Sequence, residues 1–402
     1  MGKSKFFFGH SVFGQLISLI NRMVVSQAVT ATKSDRYCKR FTTWDHLVTL
    51  LFATLGGCTS LREVHGGLLG LKGKTEHLGL GHICSRSTLS DANIRRTPKV
   101  FENIYNALIK QNQSILSDSR LKAIYGKSVV LLDSTTVTLF KEILRAAGRK
   151  SLSGKQKGGI KVHAVLNPEE SVPRVIYFSP SASSDVKALG KTEFSRDNIY
   201  VFDRGYLDIV FFEKLTTQHI SFVTRQKDNS TFESLREIDI PAGADDGVLK
   251  DEIIQVPIRK NGQIMGTTTL RRVAYWDKKQ EKLLVFITNI IDMDSEKICQ
   301  LYKERWKIEL MFKQLKQNFP LKYFLGDNEN AIVIQIWSAL IANLLLTVIG
   351  KKVQQRSWSF SNIATFCRIH LFNYIHLINF LNAPERDWQK SMQKQLQLEL
   401  SG

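Results

Sequence analysis

Cysteine is scarce and badly placed for a structural role. Cys38, Cys58, Cys84, Cys299 and Cys367 are odd in number and widely scattered in a chain of 402 residues. That pattern argues against a disulfide framework and for reduced thiols in a cytosol. No CxxC pair occurs, and the cluster His77, His82 and Cys84 lacks a fourth partner at a usual zinc-ligand spacing. Long hydrophobic runs are missing too. The most apolar stretch, residues 334–350, is interrupted by Gln335 and Asn343 and falls short of the roughly 20 residues a bilayer requires. It reads as a buried helix. The basic, apolar start is broken by His10 and Gln15 with no small-residue cleavage site after it, so secretion is not expected. Repeats and low-complexity tracts are absent. Negative charge is in short supply: 37 Asp and Glu face 56 Lys and Arg, a formal charge of +19 spread over the whole chain. Such an excess favours a polyanion, because every phosphate neutralised releases condensed counterions. Nucleic acid is the leading partner, with an acidic membrane surface second.

What is present divides the chain into three textures. Residues 1–122 read mainly helical. Thr42, three residues before Asp45, starts a capping box for WDHLVTLLFATL, Gly56 and Gly57 stop it, and Thr59 can cap LREVHGGLLG. In SRSTLSDANIRRTPK a short face of Arg86, Asn93, Arg95 and Arg96 precedes Pro98, and such a tip could meet DNA in a helix-turn-helix manner. An ordinary basic surface helix reads equally well. From residue 123 to 328 the pattern alternates strand and helix. The apolar run Val129–Leu132 reads as a buried strand ending at Asp133, and Ile199–Phe202 as another ending at Asp203. Between about 226 and 282 alternation around Asn261 and Gly262 signals a hairpin within a β-rich insertion. Helices return over 329–402. The expected class is α/β, with helices on a sheet.

The chemistry concentrates in YKERWKIELMFKQLK. As one helix, its Tyr302, Arg305, Glu309 and Lys316 would fall within roughly 60° of one another, opposite an apolar stripe of Leu301, Ile308, Met311, Phe312, Leu315 and Phe319. Taken alone, such a face is usually just solvated. Functional residues of α/β sheets gather beyond strand ends, so Asp133 and Asp203 can be neighbours, with Glu309 completing the cluster. Three carboxylates repel unless a cation sits among them, and hard oxygen ligands suit Mg²⁺ or Mn²⁺. A pair of such ions could activate water or a 3′ hydroxyl for attack on a phosphodiester. His163, alternating with apolar neighbours, reads as a satisfied strand histidine.

The stretch Tyr302–Lys316 matches Y-x2-R-x3-E-x6-K without departure. It resembles the YREK signature of bacterial DDE transposases of the insertion-sequence-four family, and LLDSTT and VFDRGY resemble that family's two aspartate regions. DRYCKRFTTWDHL, TSLREV, HLGL and STLSDANIRR are similar to the helical domain preceding the core in one branch. The resemblance implies a ribonuclease-H-like catalytic core with a β-rich insertion, preceded by a helical N-terminal DNA-binding domain and followed by C-terminal helices. It implies Asp133, Asp203 and Glu309 as ligands of two divalent ions, and Tyr302, Arg305 and Lys316 as contacts to terminal phosphates. Trp306 occupies the place from which relatives hold a flipped base during hairpin formation, and it reads equally well as a packing residue. The implied activity is cut-and-paste transposition on terminal inverted repeats and target DNA, by a homodimer that pairs two ends, in the cytoplasm and on the nucleoid. A metal-dependent nuclease or resolvase and a catalytically inactive DNA-binding protein are the competing readings.

Overall fold

The computed structural model describes residues 10–71, 75, 78–117, 120–138, 159–228, 230–240, 247–260 and 262–385; His77 and Asn261 lie outside them. The described residues fall into two compact units: 117–138 with 159–312, built on a sheet, and 10–116 with 313–385, built from helices.

The sheet unit is mixed α/β. Its strands are β1 (Ser128–Thr138), β2 (Gly159–Leu166), β3 (Pro173–Pro180), β4 (Asn198–Phe202), β5 (Ser221–Arg225), β6 (Glu233–Glu237), β7 (Val248–Lys260), β8 (Gln263–Asp277) and β9 (Lys282–Thr288). They form one sheet in the order β3-β2-β1-β4-β5-β9-β8-β7-β6. β1, β2 and β3 are antiparallel, β1, β4 and β5 are parallel, and β9 is antiparallel to β5. The expected insertion is therefore not a separate layer: β9 carries β8, β7 and β6 outward as a continuation of the same sheet. Gly262, at φ +82°, supplies the left-handed backbone of the β7–β8 turn.

Alternation sorts the strand residues onto two covered faces. On one, Leu132, Phe202, Phe222, Ile254 and Leu270 enclose Phe212 and Leu215 of the Ile209–Thr217 helix. On the other, Phe286 meets Tyr302 of the Ser295–Lys303 helix with ring centroids 4.8 Å apart. The loop entering that helix is tied down by buried Arg271, which pairs with Asp251 at 2.5 Å and donates to the Ile291 carbonyl at 2.7 Å. The insertion thus helps to position the helix beside the site.

In the helical unit the expected capping box is present: the Thr42 hydroxyl accepts from the Asp45 amide, and the Asp45 carboxylate accepts from that of Thr42. Ser60, not Thr59, caps the Leu61–Leu69 helix, while Thr59 donates to Glu63. The apolar run becomes the Glu329–Lys352 helix. It is long and apolar enough to cross a membrane by length and composition, yet its apolar window is entirely buried. It packs on the helices Thr43–Gly56, Arg86–Arg95 and Lys99–Gln111. Its polar interruptions bond inside the protein: Gln335 accepts from the Leu325 amide and donates to the Tyr323 carbonyl, and the Asn343 oxygen accepts from Gln314, while its Nδ2 has no hydrogen-bond partner among the described residues. The C-terminal helices, expected as a region of their own, thus share a core with the N-terminal ones.

Candidate active site

The parallel ladder between β1 and β4 ends at the pair Leu132 and Phe202. The next residue on each strand is an aspartate, which is why Asp133 and Asp203 are neighbours despite their separation in sequence. β1 itself does not stop at Asp133 as expected; it runs on to Thr138 paired with β2 alone. Residues two apart share a face, so Asp133 and Asp203 point the same way as Leu131 and Val201, toward the side carrying Tyr302.

The expected single helix is instead two, Ser295–Lys303 and Trp306–Asn318. Between them the amides of Arg305, Lys307 and Ile308 bond three residues back, to Tyr302, Glu304 and Arg305, a tightening of 3₁₀ type that re-aims the chain. The break replaces the single helix on which the stripe was drawn, yet Tyr302 and Glu309 still meet around the Arg305 guanidinium. Tyr302 is buried against Phe286, with the Arg305 guanidinium 5.6 Å from its ring centre, and so does not stand as an open phosphate contact. The apolar stripe from Leu301 to Phe319 is buried as expected.

Arg305 is engaged rather than free. One nitrogen, Nη1, lies 2.6 Å from Glu309 Oε1, 3.8 Å from Asp133 Oδ2 and 3.8 Å from Asp203 Oδ1. The three predicted carboxylates therefore converge on one cationic point. Each aspartate has its other oxygen held by backbone: Asp133 Oδ1 accepts from the Ser134 amide at 2.7 Å, and Asp203 Oδ2 from the Gly205 amide at 3.1 Å. One oxygen of each is fixed and the other is turned inward. Burial pushes the Asp133 carboxyl up to about 7, and the carboxylates of Asp203 and Glu309 add to it, against the opposing effects of the Ser134 amide and Arg305.

This donor set suits a hard divalent cation: three carboxylates, oxygen donors only, with a guanidinium standing where positive charge is required. As the side chains stand around that guanidinium, no group of three His, Cys, Asp or Glu among the described residues is spaced to close on an ion.

The remaining expected residues divide. Trp306 is 57% exposed at the start of its helix. Lys316 is exposed further along it. Arg86 and Arg95 are exposed on the Arg86–Arg95 helix. Asn93 and Arg96 are not surface residues, which corrects their assignment as DNA contacts. Asn93 bonds His46 Nε2 at 2.8 Å inside the core, and Arg96 donates to the Phe41 carbonyl at 2.8 Å and pairs with Asp35 at 3.3 Å. An open cleft of about 820 Å³ borders this helix, lined among others by Arg36, Tyr37, Lys39, Arg40 and Arg95. The loop supplying most of that charge lies in DRYCKRFTTWDHL, whose lack of periodicity singles out none of its residues as a contact. Also missed were the Ser134 and Gly205 amides, since a backbone donor leaves no mark in a side-chain pattern.

A fold of this kind with three converging carboxylates defines an enzyme of DDE type. A match to the family described as "Transposase DDE domain" spans residues 124–345, and a domain of unknown function (DUF4372) matches residues 8–81. The chain belongs to the DDE transposase family. It is 28% identical over 264 residues to a transposase-named protein of Sinorhizobium fredii, covering 65% of this chain and 71% of that one. It is also 28% identical over 222 residues to a transposase-named protein of an insertion sequence element in Geobacillus stearothermophilus, covering 55% and 56%. Among solved structures it is similar to the piggyBac transposase synaptic complex with hairpin DNA at a TM-score of 0.42 and 12% identity, over 95% of this chain and 80% of that one.

Proposed function

We propose that the chain moves its own insertion sequence by cut-and-paste, cleaving at terminal inverted repeats and joining the freed 3′ hydroxyls to target DNA. The observation that carries this reading is the convergence of Asp133, Asp203 and Glu309 on the single nitrogen of Arg305. The strand order β3-β2-β1-β4-β5, antiparallel then parallel, supports a ribonuclease-H-like core of the YREK type.

The inward oxygens of the three carboxylates would hold Mg²⁺ or Mn²⁺, two ions in all. When bound, the ions supply activation of a water or 3′ hydroxyl and stabilisation of the leaving oxygen. The chain's own groups do the rest. The Ser134 and Gly205 amides keep the aspartates from rotating, and Arg305 balances the carboxylate charge and can exchange it for that of a phosphate. Exposed Trp306 offers a face on which an extruded base can stack. Arg36, Lys39, Arg40, Arg86 and Arg95 contact the phosphate backbone of the repeats, and Lys316 adds a further phosphate contact. Two ends must be paired, so the working form is a homodimer on DNA, in the cytoplasm and on the nucleoid.

The test is cleavage and strand transfer on a duplex carrying the element's ends. Asp133→Asn, Asp203→Asn and Glu309→Gln each reduce cleavage to background, while end binding stays within about twofold, since no phosphate contact is removed. Wild-type cleavage by any one of them sinks the assignment. Cleavage without strand transfer points instead to a nuclease. Trp306→Ala spares the first nick but loses the hairpin product; retention of hairpins removes Trp306 from the base-holding role.

A further inference from the structure

Beyond Leu132, β1 has no β4 neighbour, and among the described strands residues 133–138 pair with β2 alone. A half-paired strand is a loose mount for a metal ligand. The opposite face of the sheet supplies what the missing neighbour does not. Ser134 points away from Asp133, and its hydroxyl donates to Asp185 Oδ1 at 2.7 Å. The same Asp185 oxygen lies 3.2 Å from Lys161 Nζ, an amine that also donates to the Ser183 carbonyl at 2.8 Å. Register places His163 directly across from Ser134 and Lys161 across from Thr136, on the same face. His163 is fully buried, stacked on Tyr177 at 4.3 Å and bonded through Nε2 to Ser179, with its Nδ1 3.8 Å from Asp185. Asp185 Oδ1 is thereby held by Ser134 and Lys161, with the His163 ring packed beside it. Its other oxygen flanks Gly205: Asp185 Oδ2 and Asp203 Oδ2 each lie 3.5 Å from where a Cβ at Gly205 would stand.

We infer that Asp185 is a positioning residue of the catalytic centre: through the Ser134 hydroxyl it clamps β1 from behind the sheet, so that the Ser134 amide holds Asp133 with one oxygen turned inward. Lys161 keeps this fourth carboxylate paired and directed at Ser134 rather than at the cation. The role rests on the metal-site reading of Asp133, and it is one of geometry rather than of charge delivered to the ions.

The experiment measures Mn²⁺ binding to the full chain by calorimetry, with the manganese dependence of end cleavage alongside. Removing an outer-shell partner of a ligand costs about 10- to 100-fold in metal affinity. Ser134→Ala and Asp185→Ala are each expected to weaken Mn²⁺ binding by about that factor, with cleavage recovering at high Mn²⁺. Ser134→Thr and Asp185→Asn, which keep a hydroxyl donor and an acceptor oxygen, are expected within about threefold of wild type. The double variant Ser134→Ala/Asp185→Ala is expected to be no weaker than either single one, because both act through one contact. Thermal unfolding checks that each variant is folded, and Ser134→Ala, the least disruptive, carries the comparison if Asp185→Ala is not. Additive losses, or an Asp185→Asn as weak as Asp185→Ala beside a wild-type Ser134→Ala, overturn the positioning role and make Asp185 a charge acting on the metal directly. Wild-type binding with unaltered variants overturns the inference alone. Failure of the wild-type chain to bind Mn²⁺ overturns the metal site and this role together.

Discussion

Arg305 shows how much one side chain can carry. Its guanidinium compensates three carboxylates at once, so removing it leaves them facing one another. Arg305→Ala is expected to lower stability by roughly 1 kcal/mol without divalent metal, a modest figure because two of its partners are about a third exposed. Added Mn²⁺ should close most of that gap; a loss identical with and without metal would refute the compensation. Asp133 gives a second expectation. Burial pushes its folded-state carboxyl up to about 7, above its ordinary value of 3.8, so its contribution to metal-free stability is fully present below the lower value and is lost as pH rises through 7. Asp133→Asn should flatten that decline in thermal midpoints between pH 4 and 8. Both strand-end aspartates were legible in the sequence because each follows a short apolar run that reads as a buried strand. Asn93 and Arg96 misled because a helix with little amphipathicity looks solvated, and the partners that bury them, His46, Phe41 and Asp35, are distant in sequence.

At the scale of elements, the division of the signature segment into two helices was the least legible feature. No proline or glycine marks residues 302–306, and the turn follows from three short-range amide bonds and from Arg305 reaching Glu309. Strands and the hairpin at Gly262 were easier, since apolar runs and a turn are local; the strand directions, and that the insertion would join the main sheet through β9, depended on pairing between distant segments, which no local pattern announces. The Thr43–Gly56 helix makes a pH prediction of its own. His46 is fully buried and bonded to Asn93, and burial, reinforced by Arg96, holds it down at about 3. A depressed histidine contributes stability above its unfolded value near 6.5 that is lost as pH falls toward 3. Acid unfolding of the helical unit should therefore begin below pH 6.5. His46→Leu should shift that limb to lower pH while costing about 1–2 kcal/mol at pH 7, because Asn93 is left without its partner. An unchanged acid limb would show that another group governs it.

Across the molecule, the helical unit is assembled from both ends of the chain. Residues 10–116 supply most of its helices, and the Glu329–Lys352 helix, whose apolar window is entirely buried, supplies the apolar surface they pack on. A chain ending at residue 328 should leave segment 10–116 without a core, seen as lost helical signal in circular dichroism and cleavage by trace protease. Adding a peptide of residues 313–385 should restore protection; a stable, protected 10–116 segment in the truncated chain would show that it folds alone. This arrangement also has a consequence in time. Domains generally form as they leave the ribosome, the N-terminal one first, yet here the earliest helices must wait for residues 329–352 to be translated. The N-terminal segment can close its core only after the Glu329–Lys352 helix has emerged, so a message broken upstream of residue 329 yields a protein whose first hundred residues never find their final shape.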